Sequence, residues 1–273
     1  MVVFPQSKIN LGLYIERRRP DGYHDIATVM MPTAWSDVLE IVPGKSSRTT
    51  LTCYGRRVDC PPEKNLVVKA YRALADELGG LPPVDIYLEK VVPDGAGLGG
   101  GSADAAATIT CLDELLQLGL TPQRMAGVAA RVGADCPLFV YRRPMLATGT
   151  GTTLTEVDVD LSGYTLLIAK PQGCAVSTAQ AYAGVTPSGP APDIVSLLRQ
   201  PVGRWQQSLH NEFEPSVIAQ APAIGRVKQA MLGNGAVYAA MSGSGAAVFG
   251  LFADRDAAER TKSQLPGCDS WMN

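Results

Sequence analysis

The sequence predicts an α+β protein in two lobes, and three observations carry that expectation. Short alternating apolar stretches dominate the first part, helical periodicity takes over after residue 65, and the order of elements changes beyond roughly residue 150. A chain of 273 residues has room for one large domain or two smaller ones, each with a sizeable core. A division into residues 1–150 and 151–273 follows from the change in pattern.

Taken in order, "INLGLYIE" alternates from Ile9 to Glu16 with Leu11, Leu13 and Ile15 on one side, and Pro20-Asp21-Gly22 interrupts it with a turn signal. Val38–Val42 and Thr49–Tyr54 are further strand candidates. "NLVVKAYRALADELG" places Leu66, Ala70 and Leu74 on one helical stripe that Gly79 stops. Val84–Val91 alternates again and runs into a glycine-rich stretch, after which a helix is expected over Ala103–Leu118, with Ser102 in the capping position. Thr121-Pro122 opens another helix, ending near Gly133, and "GADCPLFV" reads as a loop entering a strand. In the second part, "GYTLLIAKP" is a strand, "VSTAQAYAG" a short helix and "VTPSGPAPD" a surface loop. Helices from Ile194 and Ala223 flank "LHNEFEP"; "AVYAAMSGSGAAVFGLF" forms two strands about a glycine-serine turn, and "DRDAAERTKSQL" closes the chain as a helix.

Composition narrows the function classes. A net charge of −2 offers no overall basic field for nucleic acid or anionic membrane, so any phosphate binding must be local. The six cysteines are scattered without a CxxC pair, which argues against a zinc site and for free thiols in a reducing cytoplasm. No stretch has the length and apolar character of a leader or a membrane span.

The chemistry concentrates in "PDGAGLGGGSADAAA", Pro93 to Ala107. Strand, glycine-rich loop and helix together offer phosphate a set of backbone N–H groups and the positive end of a helix dipole. Glycine is costly to order, so this density implies a need for bare backbone. Ser102 is either a cap or a contact to phosphate or magnesium. Three similar motifs fail in detail. Gly95-x-Gly97-x-x-Gly100 matches the dinucleotide fingerprint, but "GLTPQRM" starts a helix where a second strand is required. Gly44-Lys45-Ser46 lacks the first glycine of a Walker loop, since Leu39 stands there, and neither HRD nor DFG follows.

"AGLGGGSADAAA" resembles the phosphate-binding motif of the superfamily of galactokinase, homoserine kinase, mevalonate kinase and phosphomevalonate kinase. "SKINLGLYIERRRPDGYH", "GADCPLF" and "MSGSGAAVFGLF" stand around it in the superfamily's order, so the resemblance spans almost the whole chain. It implies a ribosomal S5-like N-terminal lobe carrying the ATP loop and catalytic residues, and a ferredoxin-like C-terminal lobe completing the substrate cleft. ATP with Mg²⁺ is expected over residues 93–107, with a small-molecule acceptor between the lobes, in a cytoplasmic monomer or homodimer with no nucleic-acid or membrane partner.

Residue by residue, the resemblance implies that Asp135 in "GADxP" takes the proton of the attacking hydroxyl. Lys8 would keep that carboxylate ionised and stabilise the developing alkoxide. Phosphoryl transfer needs mainly positioning and charge stabilisation, so this pair and the loop suffice. ATP contacts are implied at Asn65, Lys90, Pro93, Gly95, Ala96, Gly97, Leu98, Gly99, Gly100, Gly101 and Ser102, with Ser102 also a magnesium contact. Read without the resemblance, Asn65 is equally a helix cap and Lys90 a strand-edge charge. Asn10 shares the face of Lys8 and is expected at the substrate. Tyr23 would stack on a cytosine ring and His24 would read its edge, with Tyr182 as the second aromatic and Thr178 nearby, which implies an acceptor linked to cytidine diphosphate. The "MSGSG" turn at Ser242–Gly245 resembles the third motif beside the loop. Asp94, an acid next to phosphate, is expected to point away. Two alternatives remain: a homoserine- or mevalonate-type kinase, which needs no cytosine sandwich, and a non-catalytic nucleotide-binding relative, which loss of Lys8 or Asp135 would favour.

Overall fold

The computed structural model describes residues 1–58 and 60–273. Mixed strands and helices make an α+β architecture, with three four-stranded sheets. Its contacts gather into two compact units. The first consists of Met1–Lys8, Pro32–Asp94 and Gly99–Arg143, the second of Ile9–Met31, Gly95–Leu98 and Pro144–Asn273. Where the sequence predicts a single cut near residue 150, each unit draws on three segments, because the long strands Gln6–Arg18 and His24–Ser36 each have residues in both.

The first unit holds a sheet in the order Val2–Val3, Val38–Pro43, Val84–Lys90, Thr50–Gly55, antiparallel except for its last pair. Buried Leu39 and Ile41 stand opposite buried Leu88 and Ile86, which is what apolar alternation produces when one face meets the core. Helix Leu66–Leu78 begins where the Asn65 side chain accepts the Val67 N–H at 2.9 Å, and ends on Gly79 at φ +75°. Its buried residues are Val67, Ala70 and Leu74, so Ala70 and Leu74 are buried as expected and Val67 takes the place of Leu66. Two expectations fail here. The loop helix starts at Gly100, so Ser102 lies inside its first turn and Gly99 takes the cap position. "GADCPLFV" forms the helix Cys136–Tyr141, not a strand, since Pro137 is tolerated in a first turn and a short, fully buried apolar run has no diagnostic period.

The second unit is built on a wholly antiparallel sheet, ordered Ala236–Met241, Val248–Phe252, Thr165–Pro171, Cys268–Met272. Its core joins Leu167, Val248 and Phe252 to Phe213, Val227 and Met231. Cys268–Met272 adds a strand after the helix expected to close the chain. The turn at Pro20–Gly22 joins the neighbouring strands Gln6–Arg18 and His24–Ser36; the Asp21 carboxylate accepts the Tyr23 N–H at 3.1 Å, fixing the turn through a local side-chain bond. Among the described residues, no helix is long and apolar enough to cross a membrane.

Candidate active site

The strand Val84–Lys90 delivers the chain into the glycine loop, and the 17-residue helix Gly100–Leu116 carries it away. The helix N-terminus has no side-chain cap and no acidic residue in its first turn. Ala103 N–H makes a helical bond to Gly99 O at 2.9 Å, so the N–H groups of Gly100, Gly101 and Ser102 precede the regular ladder, at the end of a helix whose dipole favours an anion. Ala96 and Leu98 are buried, at 2% and 1% exposure.

Two glycines explain the density. A Cβ on Gly97, at φ +73°, would stand 2.0 Å from the Ser242 carbonyl oxygen, and one on Gly99, at φ +69°, would stand 2.8 Å from the Phe139 ring. Ser242 is bound in return: its hydroxyl donates to Gly97 O at 2.8 Å, while Ala247 N–H reaches Ala96 O at 3.0 Å. The "MSGSG" turn and the loop segment Gly95–Leu98 are therefore one backbone-to-backbone assembly. Gly95, at φ +60°, has open space where its Cβ would be. Gly95→Ala should therefore cost only the left-handed strain of an L-residue, about 1–2 kcal/mol. Gly97→Ala must also displace a carbonyl, so its melting temperature should fall well below that of Gly95→Ala in parallel calorimetric scans; equal melting temperatures would mean the contact is slack.

Lys8 and Asp135 meet at this loop. The Lys8 ammonium lies 3.8 Å from Asp135 Oδ2, and its Cε would be 3.3 Å from a Cβ on Gly99. Burial pushes the Lys8 pKa down and the Asp135 carboxylate opposes that shift. The Asp135 side chain itself remains over a third exposed. On the neighbouring residue, burial pushes the Cys136 thiol up to about 11, partly offset by its hydrogen bond from Ser102, which ties the loop helix to the helix following Asp135.

Lys90 has a different environment from a solvent-edge charge. Its ammonium donates to Asp37 at 2.5 Å and Asp104 at 2.8 Å, all three side chains being buried. Burial opposes its charge, but the Asp104 and Asp37 carboxylates outweigh it and the pKa is raised. Asp37 also accepts the N–H groups of Val91 and Val92 at 2.6 and 2.8 Å, bracing the loop where it leaves the sheet. Asp94 is 3.9 Å from the same ammonium and half exposed. Lys90, Asn65, Asp94, Gly101 and Asp104 line one pocket of about 160 Å³. Neither Asp37 nor Asp104 is signalled in the sequence: each is a lone acid whose partners lie 14 to 55 residues away.

Burial pushes the Asp104 carboxyl up to about 8, with Lys90 drawing it back and Asp37 adding repulsion. At low pH it is neutral in both states; above pH 4 only the unfolded chain ionises freely, so this group loses stability as pH rises towards 8. Asp104→Asn should remove that slope, at most about 1.4 kcal/mol per pH unit. Urea unfolding of both proteins at pH 5 and pH 8 measures it; parallel pH profiles would show that Asp104 is ionised throughout.

A second constellation lines a cavity of about 820 Å³ that includes Arg18, Tyr23, His24, Thr150, Thr178 and Tyr182. His24 and Tyr182 stack with ring centres 4.7 Å apart and planes within 19°, and Tyr182 meets Phe213 edge-on at 4.9 Å. Burial, then the charge of Arg18, lowers the His24 pKa, which favours a neutral imidazole with one donor and one acceptor. Tyr23 is 68% exposed beside them. The Thr178 hydroxyl is 3.2 Å from that of Ser244 in the glycine-serine turn. Asn10, 2% exposed, donates to Thr28 Oγ1 at 3.0 Å, and its Oδ1 lies 3.4 Å from the Ser242 hydroxyl. Asn211, missed in the sequence, holds the same turn by donating to Met241 O and Gly243 O at 2.7 and 2.8 Å.

Residues 65–143 match the GHMP kinases N terminal domain, and residues 194–268 match the GHMP kinases C terminal family. The 4-diphosphocytidyl-2-C-methyl-D-erythritol kinase of Parabacteroides distasonis is 45% identical over 99% of this chain and 98% of its own length. The chain belongs to the 4-diphosphocytidyl-2-C-methyl-D-erythritol kinases. The Bacteroides thetaiotaomicron member of the family is also 45% identical, over 92% of each chain. A crystal structure of a 4-(cytidine 5'-diphospho)-2C-methyl-D-erythritol kinase is similar at a TM-score of 0.82 and 29% identity, covering 100% of this chain and 98% of that one. Methanococcus jannaschii mevalonate kinase, at 13% identity and a TM-score of 0.73 over 100% of this chain and 97% of its own, shares the fold. As a member of this kinase family the chain is a phosphotransferase of the GHMP type, with ATP as phosphate donor.

Proposed function

We propose that the chain transfers the γ-phosphoryl group of ATP to the 2-hydroxyl of 4-diphosphocytidyl-2-C-methyl-D-erythritol, in the cytoplasm, as a step of the mevalonate-independent isoprenoid route. The observation that carries the chemistry is the Lys8–Asp135 pair at 3.8 Å beside Gly99. Asp135 accepts the proton of the attacking hydroxyl. Lys8 favours the ionised carboxylate and, with the N–H groups at the start of the loop helix, stabilises charge on the transferring group. Asn65, Lys90 and the loop from Pro93 to Ser102 bind the nucleotide, with Asn65 already turned to its helix and Lys90 acting through the loop it braces. Tyr23 and His24 read the base, Tyr182 is the second aromatic of that pocket, and Asn10 and Thr178 contact the acceptor.

Among the described residues no group of three or more acidic, histidine or cysteine side chains forms a metal cage. Mg²⁺ commonly keeps waters and rests on substrate phosphates with one or two protein oxygens, a role the Ser102 hydroxyl fits. When bound, it would neutralise phosphate charge.

A coupled ADP-release assay tests the reading, with the cytidylated acceptor, free methylerythritol phosphate, mevalonate and homoserine at matched concentration. Activity is expected with the first alone. Efficient phosphorylation of mevalonate or homoserine, with none of the cytidylated compound, would overturn the acceptor while leaving the phosphate-loop argument intact.

A further inference from the structure

Three consecutive arginines end the strand Gln6–Arg18 and enter the turn, and the structure treats them unequally. Side chains alternate faces along a strand. Arg17 Nε lies 2.5 Å from Asp25 Oδ2, and Arg19 reaches Asp25 and Asp21, each at 3.1 Å. Arg18, between them, lines the cavity of Tyr23, His24 and Tyr182. Among the described residues no carboxylate stands within ion-pair distance of it. Its guanidinium is the only formally charged side chain in that lining, where hydroxyls and aromatic rings otherwise prevail.

We infer that Arg18 is a specificity-determining residue that binds the diphosphate of a cytidine-linked ligand, so that this pocket takes cytidine 5'-diphosphate in preference to cytidine. The inference rests on the proposed function, in which the same pocket reads the base. A planar guanidinium matches phosphate oxygens with paired N–H donors, and here no protein carboxylate competes for them. Its charge also lowers the pKa of the His24 imidazole, so it acts on the base-reading ring itself. Arg17 and Arg19 cannot substitute, because their charge is already matched by Asp25 and Asp21. The pocket therefore recognises ring and diphosphate as one unit, and free cytidine 5'-diphosphate should compete with the acceptor.

Titration calorimetry tests this with cytidine and cytidine 5'-diphosphate as probes, in saturating non-hydrolysable ATP analogue so that the donor site is filled. The wild type should bind the diphosphate about five- to tenfold more tightly, a range set by the solvent exposure of Arg18. Raising the salt should shrink that ratio. Arg18→Gln should bring it close to one, while Arg17→Gln should preserve it. Equal binding of the two probes by the wild type, or an unchanged ratio in Arg18→Gln, overturns the role of Arg18. No binding of cytidine at millimolar concentration by either protein instead overturns the base-reading pocket, and with it the acceptor proposed above.

Discussion

Asp135→Asn is expected to cut turnover by roughly 10²–10⁴-fold, the usual range for loss of a general base. The amide keeps the shape of the carboxylate, and the loop glycines that define the phosphate cradle are untouched, so the affinity for ATP should hardly move. The variant also strips buried Lys8 of the carboxylate that keeps its pKa up. Its ammonium should then lose its proton at lower pH than in the wild type, and whatever activity remains should decline earlier on the alkaline side. Single-turnover phosphorylation across pH, with calorimetry using a non-hydrolysable ATP analogue, separates the two effects. Turnover within a fewfold of the wild type would remove Asp135 from the mechanism.

Tyr23→Ala should act on the acceptor alone. The ring is 68% exposed, so its loss costs the fold little, unlike loss of Tyr182, which supports both His24 and Phe213. Base–aromatic stacking is worth about 1–3 kcal/mol by alanine substitution, roughly five- to 150-fold in affinity. The expected result is a KM for the cytidylated acceptor raised more than tenfold, with KM for ATP and the melting temperature unmoved. Initial rates with each substrate varied in turn provide the measurement. An unchanged acceptor KM would mean that the base is held by His24 and the cavity wall without stacking on Tyr23.

What could be read in the sequence follows the range of the forces involved. The turn at Pro20–Gly22, the cap at Asn65 and the stop at Gly79 each rest on chemistry within a few residues, and each is legible; the glycine loop is legible by its composition, although Gly97 and Gly99 answer to Ser242 and Phe139 far along the chain. Lys8 and Asp135 are legible only through resemblance, because nothing near either residue in the chain announces their pairing. Asp37, Asp104 and Asn211 are not legible at all: each looks like a surface polar residue until distant backbone closes over it. Nothing in the sequence distinguishes the three consecutive arginines, and only the placement of Asp21 and Asp25 sets Arg18 apart. The missed helix Cys136–Tyr141 shows the same limit from the other side, since burial all round erases the period that separates helix from strand.

The Ser242 hydroxyl has a consequence for how the enzyme matures. Its bond to Gly97 closes a stretch of 145 residues, and its contact with Asn10 one of 232. Closing so much chain costs entropy that only a nearly complete fold repays, and contacts of this separation form late. A nascent chain that has emerged as far as the glycine loop carries the whole phosphate-binding sequence but not the serine that shapes it. The segment Gly95–Leu98 can therefore reach its observed arrangement only once the chain has been made beyond Ser242.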